Sequence, residues 1–268
     1  MAHEFTGPII RVADLVTHYG ERRVLNRVNL EIQAGETMVI LGGSGAGKST
    51  LLRHILRLET PTSGHVYIKN HDVCHMPAER FNLLRRKIGM LFQSAALFNS
   101  LTIEENVSLP LRELTQLEES TIRIMTRIKL DLVGLSGVEN YMPSELSGGM
   151  RKRAGLARAL AMDPEILLFD EPSTGLDPIT AAGIDNLILK LKRAFRMTVV
   201  AVTHEMTSAF TIADRITVMH DGEVIALGTP EEIRTSQNPR VQQFLNRIPE
   251  EEAKDVHAYL RTLTESRS

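Results

Sequence analysis

Thr37-Met38-Val39-Ile40-Leu41, followed by Gly42-Gly43-Ser44-Gly45-Ala46-Gly47-Lys48-Ser49, is the stretch on which the fold turns. The first part is a nearly continuous apolar run, the pattern of a strand covered on both faces in a parallel sheet. The second part matches G-x-x-x-x-G-K-[ST] in full, and the helical run Ser49–Leu58 comes next. The chemistry requires these residue types. Glycines let the backbone wrap tightly enough to aim several N–H groups at phosphate oxygens. The helix start at Ser49 adds a dipole favourable to anions. Lys48 is placed to bridge the β- and γ-phosphates of a nucleotide, and the Ser49 hydroxyl to ligate Mg²⁺. Thr50, in the same turn, is taken with them. A glycine-rich turn that binds nothing is the competing reading, and the complete motif between strand and helix disfavours it.

Outward from this stretch, Val28–Ile32, Ile166–Phe169 and Thr198–Val202 are further strand runs. Helical segments Met150–Met162 and Ala181–Phe195 alternate with them, which predicts an α/β core. Residues 94–146 differ. Ile122, Met125, Ile128 and Leu132 recur at helical spacing and no clean strand appears, so this segment reads as a helical insertion. Gly222, Gly228 and Pro230 bound a short strand, Val224–Leu227. We therefore expect a main domain over 1–238 and a helical tail over 239–268. In the tail, Val241, Phe244, Leu245 and Ile248 make one apolar stripe, and Ala253, Val256, Tyr259, Leu260 and Leu263 a second. The tail either packs on its own domain or docks on a neighbouring subunit. No internal repeat is visible.

Ile166-Leu167-Leu168-Phe169-Asp170-Glu171 is a buried strand ending in two carboxylates. Asp170 is positioned to hold Mg²⁺ through water, and Glu171 to orient and deprotonate an attacking water. Alone, two acids at a strand end would as readily be solvated terminators. With a phosphate loop upstream they become a catalytic pair.

Leu146-Ser147-Gly148-Gly149-Met150, with Arg151 to Leu160 after it, resembles the signature motif of ABC ATPases. Ser147 reads as an N-cap, and Gly148 and Gly149 open the amides of a helix start to an anion. The resemblance covers residues 9 to about 235 and implies a P-loop NTPase (RecA-like) core, an inserted α-helical subdomain and a small antiparallel β-subdomain. It also implies a homodimer with two ATP molecules sandwiched head to tail, Ser147, Gly148 and Gly149 of one subunit serving the nucleotide on the other. By the same resemblance Tyr19 stacks on adenine, and Gln93 reaches Mg²⁺ or the attacking water. Ser173-Thr174-Gly175-Leu176-Asp177 forms the D-loop that crosses the interface, and His204 contacts the γ-phosphate. Two departures stand out. Gly43 replaces a common proline, and Met150 the usual glutamine, which leaves the amides intact.

Phe92-Gln93-Ser94-Ala95-Ala96-Leu97-Phe98, Asn106 to Glu113, Met142-Pro143-Ser144-Glu145 and Asp177-Pro178-Ile179-Thr180 are similar to the ATPases of Mla/MCE phospholipid-transport systems. That similarity implies phospholipid as cargo between inner and outer membranes. It also implies three partners: a membrane permease, a periplasmic MCE-domain lipid-binding protein and a small STAS-domain subunit. The ATPase would then sit at the cytoplasmic face of the inner membrane, held by the permease. An amino-acid or lipoprotein transporter, or a soluble iron–sulfur assembly ATPase, stays open. A DNA-repair type is disfavoured, because no long heptad insertion occurs and the net charge is −2, without a basic surplus.

Composition sets the outer bounds. With 43% hydrophobic and 24% charged residues the 268-residue chain reads as globular. Cys74 is the sole cysteine, so no intrachain disulfide forms. Met1–Ile10 lacks signal-peptide character, and no apolar run approaches the roughly 18 residues of a membrane span.

Overall fold

A computed structural model describes residues 7–248. Two long strands open the chain, β1 (Pro8–Tyr19) and β2 (Arg22–Gln33), followed by β3 (Thr37–Gly42) and α1 (Lys48–Ile55). Next come β4 (Ser63–Ile68), β5 (His71–Asp72), α2 (Ala78–Arg85) and β6 (Ile88–Leu91). The insertion contains α3 (Ile103–Leu114) and α4 (Glu119–Leu132), and α5 (Gly148–Ala159) returns the chain to β7 (Ile166–Asp170). Then follow α6 (Pro178–Phe195), β8 (Thr198–Thr203), α7 (Met206–Ile212), β9 (Arg215–His220) and β10 (Glu223–Gly228). Two short helices, α8 (Pro230–Arg234) and α9 (Pro239–Leu245), end the described part.

The strands form two sheets. One is antiparallel, in the order β2-β1-β4-β5, and the other runs β10-β9-β3-β8-β7-β6, parallel apart from β10. Side chains alternate across a strand, and here both alternating sets are buried. Val39, Leu41, Leu167, Phe169, Val199 and Ala201 pack against α5 and α6. Met38, Ile40, Ile166, Leu168, Val200 and Val202 pack against α1 and the antiparallel sheet. This is why the apolar runs of β3, β7 and β8 are unbroken. Each such side chain taken out of water contributes roughly 1.5–3 kcal/mol, before the entropy of ordering it.

Five strands, β1, β4, β5, β6 and β9, escape the sequence patterns, three of them for plain local reasons. β1 carries a bulge at Asp14, whose φ is +47° and whose amide donates to Asn29 Oδ1 (2.9 Å), so the alternation slips. β6 has four residues including Gly89, and β9 is interrupted by the buried Thr217. In the tail, α9 packs on its own domain, with Val241 fully buried in the α5–α6 core. The second expected tail helix lies outside the described residues.

α1 carries a buried histidine beneath the end of β1. His54 is 1% exposed, its Nδ1 3.1 Å from the Glu59 carbonyl and its Nε2 2.7 Å from Thr17 Oγ1. A carbonyl can only accept, so Nδ1 carries the proton and Nε2 accepts from the Thr17 hydroxyl. Burial pushes this imidazole below its ordinary pKa, the Glu59 carbonyl opposing only in part. The folded state thus resists protonation, so the contribution is full above the unfolded value of about 6.5 and is lost as pH falls through the folded pKa. His54→Asn should flatten the pH dependence of urea stability below about pH 6.5, where wild type loses up to about 1.4 kcal/mol per pH unit. Equal slopes in the two proteins would remove His54 as the cause.

Candidate functional site: a phosphate loop beside a carboxylate–histidine pair

Strand register brings the site together. β8 lies between β3 and β7, with Leu41 opposite Thr203 and Asp170 opposite Val202. The carboxyl ends of the three strands therefore finish level, where open α/β sheets bind ligands. The phosphate loop leaves β3 and re-enters as α1 through Gly47, whose φ is +93° and where a Cβ would lie 2.6 Å from Leu25 Cδ2. Only glycine fits both demands.

Lys48 is buried, and its Nζ donates to the Gly42 and Gly43 carbonyls, each at 2.9 Å. Burial pushes the amine's pKa down, while Glu171 and Asp170 pull the other way. Nζ lies 3.9 Å from Glu171 Oε1. The cation thus closes the loop on itself, within reach of the strand-end acids. Ser49 Oγ donates to Asp170 Oδ1 at 2.8 Å. A hydroxyl and a carboxylate oxygen side by side are a hard-oxygen set suited to Mg²⁺.

Glu171 is the most constrained residue of the site. It is 8% exposed with φ +50°, a left-handed conformation costly for a side chain with a Cβ. Its Oε2 accepts from the Thr174 hydroxyl (3.0 Å), the Thr203 hydroxyl (3.2 Å) and the His204 amide (3.4 Å). Its Oε1 accepts from His204 Nδ1 at 2.9 Å. Lys152 Nζ, buried, donates to the Glu171 carbonyl at 2.9 Å. His204 is half exposed, with Nε2 3.6 Å from Glu205 Oε1.

An open cleft of about 280 Å³ lies beside the loop, lined by Tyr19, Arg22, Lys48, Ser49, Thr50 and Arg53. Tyr19 is 46% exposed, and its hydroxyl is held by Glu59 and, at 3.4 Å, by Thr50 Oγ1. The hydroxyl is engaged and the ring is left partly open. A cleft of about 310 Å³ lined by Lys129, Asp163, Glu165 and Thr198 sits instead at the opposite strand ends, away from this chemistry.

Gln93 lies two residues beyond β6, in a register that pairs Leu91 with Phe169, so it shares the sheet end with Glu171. Its loop bends through Ala95 (φ +61°) and Ala96 (φ +48°), whose carbonyls accept from Arg158 at 2.9 and 2.8 Å. Buried Asn106 ties the same loop to α3. It accepts from the Phe98 amide and donates to the Phe98, Leu101 and Thr102 carbonyls.

Ser147 caps α5, its side chain accepting from the Met150 amide at 3.3 Å. The nearest neighbours of a Cβ at Gly148 and Gly149 belong to Leu176 and Thr180, the latter at 2.5 Å, so Gly149 admits no side chain. This helix start is built against the D-loop segment of its own chain. Asp177 caps α6 through the Ile179 and Thr180 amides, both at 3.0 Å. The Thr180 hydroxyl and these amides hold its carboxyl below the usual range. Next to it, Ile179 is 86% exposed.

Lys152, Thr203, Arg158 and Asn106 were not legible as site residues, and Thr174 only as part of the interface loop. Lys152 belongs to the basic run Arg151-Lys152-Arg153 that follows the signature-like segment, where residue type alone does not set it apart. The available signal was its spacing: Gly149, Lys152 and Leu156 share the buried face of α5.

Residues 25–174 match the family model described as ABC transporter. The chain is 42% identical to the intermembrane phospholipid transport system ATP-binding protein MlaF of Haemophilus influenzae, over 88% of this chain and 90% of that protein. It is also 42% identical to the probable ribonucleotide transport ATP-binding protein mkl of Mycobacterium leprae, over 90% of this chain and 69% of that one. Among solved structures, a dimeric ATP-binding cassette in a post-hydrolysis state bound to ADP and phosphate superposes with a TM-score of 0.76 at 36% identity. The match covers 82% of this chain and 98% of that one.

Proposed function

Because this chain belongs to the ABC transporter family and is an ATPase of that family, we propose that it drives phospholipid movement between the inner and outer membranes of a Gram-negative envelope. The observation that carries the ATPase chemistry is the convergence of Lys48, Ser49, Asp170, Glu171 and His204 at one sheet end. The loop amides and Lys48 bind the nucleotide phosphates, Lys48 exchanging its own loop carbonyls for phosphate oxygens. Tyr19 offers its ring to adenine. Ser49, Asp170 and Gln93 would hold Mg²⁺, which would supply charge neutralisation on the phosphates. Glu171 orients a water and accepts its proton as the water oxygen bonds to the γ-phosphorus and the β–γ bridging oxygen departs. His204, anchored on Glu171, contacts the γ-phosphate.

A second copy completes the site. Ser147, Gly148 and Gly149 of the partner subunit cover the γ-phosphate, and the D-loop with Asp177 and Ile179 crosses between subunits. Exposure of Ile179 and Tyr19 supports this surface. No helix among the described residues is long and apolar enough to cross a membrane. The reading therefore includes an integral permease that holds the ATPase at the cytoplasmic face, a periplasmic MCE-domain protein and a STAS-domain subunit. The similarity to MlaF favours lipid cargo, and the equal identity to mkl makes ribonucleotide transport the rival.

Native purification of the tagged chain from detergent-solubilised membranes, with mass spectrometry of co-purifying proteins and lipids, tests both. A permease, an MCE-domain protein and bound phospholipid are the expected result. A permease with no MCE-domain protein and no lipid would overturn the cargo assignment while leaving the ATPase chemistry standing.

A further inference from the structure

At the far side of the antiparallel sheet, His65, Asp72 and His75 turn their ligand atoms toward one point. Those atoms all lie within 4.8 Å of one another. His65 Nδ1 and His75 Nδ1 each sit 2.9 Å from the same oxygen, Asp72 Oδ2. The other carboxylate oxygen, Oδ1, accepts from the Cys74 amide at 2.9 Å, so the turn fixes which oxygen faces the histidines. His65 is held in turn by the sheet, opposite Ala13 of β1, with its ring 5.8 Å from Tyr67 and 5.3 Å from His75. Asp72 pairs with Tyr67 across the β4–β5 ladder. Two of the three ligands are thus set by backbone register, and the third, His75, is 71% exposed at the turn.

We propose that His65, Asp72 and His75 form a binding site for a divalent transition-metal ion of the zinc type. Two imidazoles and one carboxylate suit Zn²⁺, Ni²⁺ or Cu²⁺ and not Mg²⁺, which prefers an all-oxygen shell. In a tetrahedral zinc site with bonds of about 2.0–2.1 Å, neighbouring ligand atoms lie roughly 3.3 Å apart. The 2.9 Å contacts here need only a small opening to reach that spacing. Each neutral ring moves its proton from Nδ1 to Nε2, and the freed Nδ1 lone pairs replace the two hydrogen bonds to Asp72 with bonds to the ion. Water fills the remaining position. The Asp72–Cys74 bond is the outer contact that aims the carboxylate. Cys74 is not part of the convergent set, and burial pushes its thiol up, away from the thiolate form that metals take. A bound ion would staple β4 to the 71–75 turn of the sheet that carries Tyr19.

The test uses the untagged full chain, stripped with chelator and dialysed without nucleotide against buffered Zn²⁺ in the low micromolar range. Metal content and thermal midpoint are read together. Wild type should retain one zinc equivalent that both His75→Ala and His65→Ala lose and that Asp170→Asn keeps. Zinc at ~100 times its Kd should raise the wild-type midpoint by roughly 5 °C or more and leave that of His75→Ala unmoved. His75 stands outside the ATP site, so ATP turnover of His75→Ala should match wild type in the absence of zinc. Equal zinc content in wild type and His75→Ala would overturn the proposal. So would zinc that is lost only from Asp170→Asn, which assigns the ion to the nucleotide site, or a wild type that binds none.

Discussion

Glu171→Gln should lower steady-state ATP hydrolysis by about 10²–10⁴-fold, the range for removing a positioned general base, while leaving ATP binding within about threefold of wild type. The shape of the site supports this separation. Gln is isosteric, and its amide oxygen can keep accepting from the Thr203 and Thr174 hydroxyls, which reorient freely. What disappears is the capacity to take a proton from water. The phosphate-binding groups, Lys48 and the loop amides, belong to β3 and α1 and are untouched. With Mg²⁺ and ATP the variant should accumulate as a closed dimer, measurable by size exclusion or small-angle scattering, because hydrolysis no longer reopens it. Turnover near the wild-type rate would remove Glu171 from the role of base. Loss of nucleotide binding would mean instead that the carboxylate is needed to hold Lys48, 3.9 Å away.

Lys152→Met should reduce the turnover number by roughly 10–100-fold, the scale on which ~1 Å misplacement of a reacting group acts, with the KM for ATP changed by less than about threefold. Glu171 has φ +50°, and such a conformation persists only when its surroundings hold it. Three bonds to its backbone do so: its amide donates to the Val202 carbonyl at 2.9 Å, and its carbonyl accepts from Lys152 Nζ at 2.9 Å and, at the longer distance of 3.4 Å, from the Thr174 amide. Lys152 is buried deeply enough that desolvation pushes its amine's pKa down, with Glu171 and Asp170 opposing. Methionine keeps the stem's packing and removes the donor. Lys152 touches no phosphate, so it is a positioning residue, and its loss should fall on the turnover number rather than on binding. Lys152→Arg keeps a cationic donor and should recover part of the rate. A variant that is merely less stable, with unchanged turnover per folded molecule, would refute this role.

The parallel core and the phosphate site were readable along the chain because their signals are local. A strand buried on both faces must be apolar without interruption, as β3, β7 and β8 are. A loop that wraps phosphate must concentrate glycine before a lysine and a hydroxyl, as residues 42–49 do. The carboxylates at 170–171 were likewise legible, since the end of an apolar strand is the only place a buried sheet can present them. β1, β6 and β9 were harder. A bulge, a glycine and a buried threonine break the alternation, while the pairing that stabilises these strands comes from distant partners.

The conformation of Glu171 and the partners of its carboxylate came only from tertiary structure. Thr203 and His204 reach it because β8 is inserted between β3 and β7, a strand order that no local pattern encodes. Residue type alone does not set Lys152 and Arg158 apart from the other basic residues of α5. In the fold these two point inward and donate to the Glu171, Ala95 and Ala96 carbonyls, bonds possible only once the helix lies across the ends of β6 and β7. His65, Asp72 and His75 likewise meet through hairpin register and a turn bond, not through any spacing that marks a ligand set by itself. Residue type and local period determine which segments become strands, helices and a phosphate loop, because those choices follow from burial and backbone sterics. Which side chains finally touch was decided by strand order and register, because contacts across the sheet depend on long-range packing that the linear order of residues does not display.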